Sequence, residues 1–181
     1  DPGDLDLPVP AAASPARGAV VVHPGAASPA RRWPAERFAA VAAALRDRGE
    51  RVVVTGGPGE RSLARRVTGL AGLGPAADLS GRTPLPELAA LVAAARLVVC
   101  GDTGVAHLAT AFRTPSVLLF GPTPPGRWGP PGRAEHRVLW AGRPGDPHGR
   151  EPSPGLLEIS AAQAVEAAGT VLTPVSAHEN R

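Results

Sequence analysis

Short, uninterrupted apolar runs recur along this chain, and helical periodicity fills the intervals between them. AVVVH (Ala19 to His23), RVVVT (Arg51 to Thr55), LVVC (Leu97 to Cys100) and SVLLFG (Ser116 to Gly121) are continuous rather than alternating, the pattern of strands covered on both faces. AERFAAVAAALRDRG separates the first two. There Pro34 suits the first turn, Phe38, Val41 and Leu45 recur at helical spacing, and Gly49 suits the C-terminal end. Glu60 to Leu70, PLPELAALVAAA and the residues after Cys100 supply further helical patterns. With the short DLSG segment (Asp78 to Gly81) counted among the strands, the order is βαβαβαβαβ. Strands separated by helices imply a parallel sheet with right-handed crossovers, hence a doubly wound, Rossmann-like α/β domain.

The 181 residues suffice for one such domain with a real core. Residues 1–17, carrying Pro2, Pro8, Pro10 and Pro15, read as a linker, and 18–181 as the domain. Residues 121–155 are rich in Gly, Pro and Arg, relieved by one strand-like patch, HRVLW, and a final helix is expected over Ile159 to Ala168. The chain opens without Met on linker-like composition, so it is expected to follow something larger.

Charge argues against nucleic acid as the partner. The net charge is only +3, and arginine replaces lysine throughout, which raises the pI without concentrating a basic field. Arg31-Arg32 and Arg65-Arg66 are the adjacent pairs, and there is no Tyr to stack on bases. The lone cysteine, Cys100, rules out an intramolecular disulfide and suits a reducing compartment. No stretch has the apolar length of a membrane span, and the acidic, proline-broken start is unlike a signal peptide, so a cytoplasmic location is expected.

In a doubly wound sheet, ligands bind outside the carboxyl ends of the strands, where the turns of this chain are unusually rich in small residues. In CGDTGVAHLATAF, Asp102 is expected to cap the following helix or to meet sugar hydroxyls. The amides of Thr103 and Gly104 would then stand at a positive helix terminus suited to an anion. His107, four residues after Thr103, is expected to lean back toward that anion. In HPGAASPARRWP, Arg31-Arg32 follow a small-residue loop and could neutralise a diphosphate; in TGGPGE, Glu60 could hold ribose hydroxyls. No Walker loop and no G-x-G-x-x-G turn is present. Each feature alone has a plainer reading, as a helix cap, a turn or a solvated arginine. Together they favour a nucleotide.

Taken in order, HPGAAS, RRWP, TGGPGE, LSGRTPLPELAALVAAARLVVCGDTGVAHLA and FGPTPPGRWGP resemble the C-terminal domain of glycosyltransferase family 9, the ADP-heptose:lipopolysaccharide heptosyltransferases, over about residues 18 to 140. The resemblance implies a GT-B enzyme, two Rossmann-like domains facing across a cleft, with this domain binding an ADP-sugar donor, ADP-heptose first among them. It places Thr103 and Gly104 on the donor diphosphate, with Asp102 near the sugar and His107 in support. It also puts Arg31 on phosphate or sugar, Glu60 on ribose, and the backbone around Thr83 on adenine. The family inverts at the anomeric carbon, and its catalytic base would belong to an N-terminal domain outside this chain. The expected acceptor is a glycan or lipopolysaccharide-like glycolipid, met with peripheral membrane association of the full enzyme. No cofactor and no metal are expected. Two other readings stay open from the residues: a stand-alone nucleotide-binding module, or another GT-B enzyme such as a nucleotide-sugar epimerase.

Overall fold

The computed structural model describes residues 6–172. Five strands, β1 (Val20–His23), β2 (Val52–Val54), β3 (Leu97–Gly101), β4 (Ser116–Phe120) and β5 (His136–Trp140), form one sheet of order β2-β1-β3-β4-β5. Every pairing is parallel, with Val21 opposite Val53 and Val98, Val99 opposite Val117, and Leu118 opposite Val138. All residues of β1 to β4 are buried. That burial on both faces accounts for their unbroken apolar runs.

Helices α1 (Ala35–Asp47), α2 (Arg61–Leu70) and α7 (Ala161–Leu172) cover one face. Phe38, Val41, Leu45, Val67 and Ala164 pack there against Val20, Val22, Val54 and Val99. The opposite face is covered by α3 (Leu85–Ala93) and α4 (Gly104–Ala111), whose Leu91, Val92, Val105 and Ala109 meet Val21, Val98, Cys100 and Leu118. Trp33 is the largest buried side chain. Its ring meets Phe38 edge-on at 5.0 Å between centroids, and its Nε1 donates to the Ile159 carbonyl at 3.0 Å. Two short helices, α5 (Pro125–Trp128) and α6 (Pro154–Glu158), lie in the long stretch beyond β4.

The expected order of elements holds with two corrections. DLSG makes a single parallel bridge, Asp78 to Val54, and no strand, because its polar residues offer too little apolar surface to be buried on both sides of a sheet. The fifth strand is instead HRVLW, an edge strand with Val138 and Trp140 partly exposed. The last helix begins at Ala161, not Ile159, because Ile159 is buried as the extended residue closing α6, and it runs four residues past the expected end at Ala168. Residues 6–17 have no regular secondary structure yet lie against the domain. The Leu7 amide donates to Ala111, and Asp6 pairs with Arg133 at 3.0 Å. The first five residues of the expected linker, and 173–181 of the expected domain, lie outside the described residues. No helix among the described residues is long and apolar enough to cross a membrane.

Strand order sets where the sheet opens a crevice. From β1 the chain crosses to β2 on one side, while β3, paired on the other side of β1, leads away to β4. The loops leaving β1 and β3 therefore part to opposite faces and open a crevice between their carboxyl ends, the switch point of an open α/β sheet.

Candidate functional site

The β3 wall of the crevice begins at Gly101. A Cβ there would stand 3.2 Å from the Arg31 carbonyl, so glycine lets the β1 loop close over the end of β3. Thr103 follows with extended backbone, and its hydroxyl accepts from the Val105 amide at 3.1 Å. Thr103 is therefore the cap of α4. This corrects the capping alternative expected for Asp102, which points across the crevice instead: its carboxylate lies 3.6 Å from Arg31 Nη1, which also reaches the Asp102 carbonyl at 3.5 Å. Both residue types cap helices well, and the cross-loop cation decides between them. The helix start leaves its first amides, Thr103 and Gly104, without intrahelical partners. Gly104 is exposed with open space above it.

Arg31 ends a 3-10 turn, Pro29–Arg31, capped by Ser28 and fastened from outside. The Ala30 amide donates to Gly149 at 3.2 Å, and the Ser153 amide donates to Ala30 at 3.1 Å. The two contacts to Asp102 are long, and Arg31 Nε is buried with no hydrogen-bond partner. Nε is shut away from the crevice, so the donor capacity left to the guanidinium lies in its weakly engaged, partly exposed terminal nitrogens. Of the arginine pair only Arg31 faces Asp102; Arg32 Nε donates to Ala26 at 2.9 Å and shapes the loop.

Opposite stands Glu60, at the end of the turn Pro58–Glu60, where its Oε2 accepts from the Gly57 amide at 2.8 Å. Its carboxylate lies directly over Gly25, where any Cβ would collide with it. Beside it His23, the last residue of β1, is held by Thr55, with Nδ1 and Oγ1 3.0 Å apart. Burial lowers the proton affinity of His23, opposed by the nearby charge of Glu60. A cleft of about 410 Å³ is lined by His23, Ala26, Ala27, Glu60, Leu85, Leu88, Thr103, Gly104, Val105 and Leu108.

The structure thus brings Glu60, Thr103 and Gly104 to one cleft. Arg31 and Asp102 form its neighbouring ion pair. Thr83 stands two residues before Leu85, half-buried, and is not among the lining residues. His107 does not join Thr103. One turn along α4, it faces an adjacent groove of about 580 Å³ with Leu7, Thr110, Arg127 and Trp128, and the two spaces share Leu108. His23 and Thr55 escape a reading of the sequence, because His23 looks like the end of an apolar run; its place immediately before Pro-Gly is the available signal. Cys100 is fully buried behind the crevice, where burial and the charge of Asp102 push its thiol far above the usual range. Among the described residues no group of three or more His, Cys, Asp or Glu could hold a metal ion.

A parallel sheet of this order, with a helix start, a cation and an acid around its switch point, defines a doubly wound α/β domain of the kind whose crevice lies outside the carboxyl ends of its strands. The chain belongs to glycosyltransferase family 9 (heptosyltransferase), which it matches over residues 8–154. It is 37% identical over 113 residues to lipopolysaccharide heptosyltransferase 3 of Escherichia coli, covering 61% of this chain and 33% of that protein. It is 40% identical over 106 residues to lipopolysaccharide heptosyltransferase 1 of Pseudomonas aeruginosa, covering 58% and 29%. Among solved structures, E. coli ADP-heptose lps heptosyltransferase II superposes with a TM-score of 0.72 at 29% identity, over 88% of this chain and 47% of that one. E. coli heptosyltransferase WaaC with ADP gives 0.68 at 25% identity, over 87% and 45%. The matched regions thus span about a third of the curated relatives and just under half of the solved chains.

Proposed function

We propose that this chain is the donor-binding half of an inverting GT-B glycosyltransferase, taking an ADP-sugar, with ADP-heptose the leading candidate. The observation that carries the reading is the convergence at one switch point of the α4 start at Thr103–Gly104, the Arg31–Asp102 pair and Glu60. Family membership and the likeness to a solved relative with ADP, E. coli heptosyltransferase WaaC, support it. In this reading the Thr103 and Gly104 amides and the guanidinium end of Arg31 hold the diphosphate, Glu60 takes the ribose, and the adenine lies toward Thr83 and the exposed Leu85. Asp102, neutralised by Arg31, meets sugar hydroxyls rather than phosphate, since two bare anions would repel.

The chemistry follows from those positions. As an acceptor hydroxyl attacks the anomeric carbon, negative charge grows on the departing diphosphate. Fixed amide dipoles and a guanidinium stabilise it without reorganising. The base that removes the hydroxyl proton belongs to an N-terminal domain, so this half alone binds donor without transferring sugar. The acceptor is a glycan or lipopolysaccharide-like glycolipid, and the complete enzyme works in the cytoplasm, peripherally associated with the membrane carrying it. Calorimetric titration of the chain with ADP and with NAD tests the donor site. One diphosphate site without a G-x-G-x-x-G turn should bind ADP in preference, and tight NAD binding with no measurable ADP binding would refute the reading.

A further inference from the structure

His23 sits at the floor of the donor cleft with one ring nitrogen committed and the other free. Nδ1 faces the Thr55 hydroxyl at 3.0 Å, and Thr55 is completely buried, out of reach of water. That hydroxyl makes no other side-chain hydrogen bond to a described residue. A buried hydroxyl proton needs an acceptor, and the one at hand is Nδ1. The satisfied arrangement therefore has Thr55 donating to Nδ1, which leaves the proton of the neutral imidazole on Nε2. Burial favours that neutral ring. Nε2 makes no hydrogen bond to a described residue, although His23 lines the cleft. Glu60 lines the same cleft, with one carboxylate oxygen engaged by Gly57 and the other making no hydrogen bond to a described residue.

We propose that His23 is a specificity-determining binding residue, and that its Nε2–H and the Glu60 carboxylate form a donor–acceptor pair reading the vicinal hydroxyls of a ribose, with Thr55 fixing the tautomer. A hydroxyl can accept from Nε2 while it or its neighbour donates to Glu60, a pairing that a carboxylate alone cannot supply. This rests on the donor-site reading above and adds to it how ribose is told from deoxyribose. A site built to hydrogen-bond a hydroxyl rejects the analogue lacking it, because its buried polar groups are then left unpaired.

The test compares ADP with 2′-deoxy-ADP and 3′-deoxy-ADP by calorimetry, on the full chain and on His23→Asn, His23→Gln, Thr55→Val and Glu60→Gln, with melting temperature as the fold control. Asn keeps an amide near Nδ1 but has nothing at Nε2, whereas Gln places a donor near Nε2. Wild type should prefer ADP over at least one deoxy analogue by about tenfold or more. His23→Asn should lose most of that preference while binding the deoxy analogue as wild type does, and His23→Gln should retain it. Thr55→Val should weaken it. If wild type and His23→Asn discriminate equally while Glu60→Gln does not, Glu60 reads the ribose alone and the proposal is overturned with the donor site intact. Equal wild-type affinity for all three ligands also overturns it. Absence of ADP binding to wild type overturns the donor-site reading itself.

Discussion

Gly104→Val separates a phosphate-binding helix start from a mere helix cap. Gly104 is the first residue of α4, is exposed, and a Cβ built on it meets nothing within 4 Å. A side chain can therefore start from this position without meeting the protein, and a valine there stands at the helix start beside the Thr103 and Gly104 amides. Its helix propensity exceeds that of glycine by about 0.3 kcal/mol, so the melting temperature should move by only about 1 °C, upward if at all. A phosphate held by those amides loses its approach. One charge-assisted hydrogen bond is worth about 1.5–3 kcal/mol, so ADP affinity should fall between about tenfold and about 150-fold for each bond lost. Gly101→Ala is the matched control. Its Cβ, 3.2 Å from the Arg31 carbonyl, forces the loop to shift and should lower the melting temperature. The assay pairs thermal melting with ADP calorimetry on both variants and wild type. Gly104→Val binding ADP within twofold of wild type, at an unchanged melting temperature, would refute a phosphate at this helix start.

Other outcomes follow from the same geometry. Arg31→Ala should weaken ADP more than Arg65→Ala, since Arg65 is 73% exposed and 4.0 Å from Asp78 while Arg31 stands at the crevice; equal affinities would remove Arg31 from the site. Arg31→Ala should also lower stability by about 1–3 kcal/mol, measured by denaturant melts, because it leaves the buried Asp102 carboxylate without its cation. His136 is buried at the edge strand with Nδ1 2.8 Å from Ser116 Oγ, and burial lowers its proton affinity, as it does for His23. Both rings are more readily protonated in the unfolded chain, so their stabilisation is present above about pH 6.5 and is lost as pH falls through their lower folded values. Melting temperature should therefore drop between pH 7.5 and 5.5, less so in His136→Gln. The Cys100 thiol should resist a thiol-reactive dye in the native chain and react on unfolding, and prompt native reaction would contradict its burial.

What could be read from residues alone was whatever local physics encodes. Strands buried on both faces must be continuously apolar, so AVVVH, RVVVT, LVVC and SVLLF announced themselves, and their helical intervals implied a parallel doubly wound sheet. Motif order likewise pointed to the family that the chain matches. HRVLW was harder to rank above DLSG, because an edge strand is covered unevenly and shows a mixed pattern. Asp102 is by type the better cap and Thr103 an adequate one. Arg31, 71 residues away in sequence, draws Asp102 across the crevice and leaves the cap to Thr103. The Thr55 contact that orients His23 spans 32 residues, and the placement of His107 in the neighbouring groove depends on Leu7 and the Arg127–Trp128 turn. Periodicity records which face of an element is buried, but not which element buries it. The strand order that puts β1 beside β3, and with it the crevice, was decided by packing between distant segments.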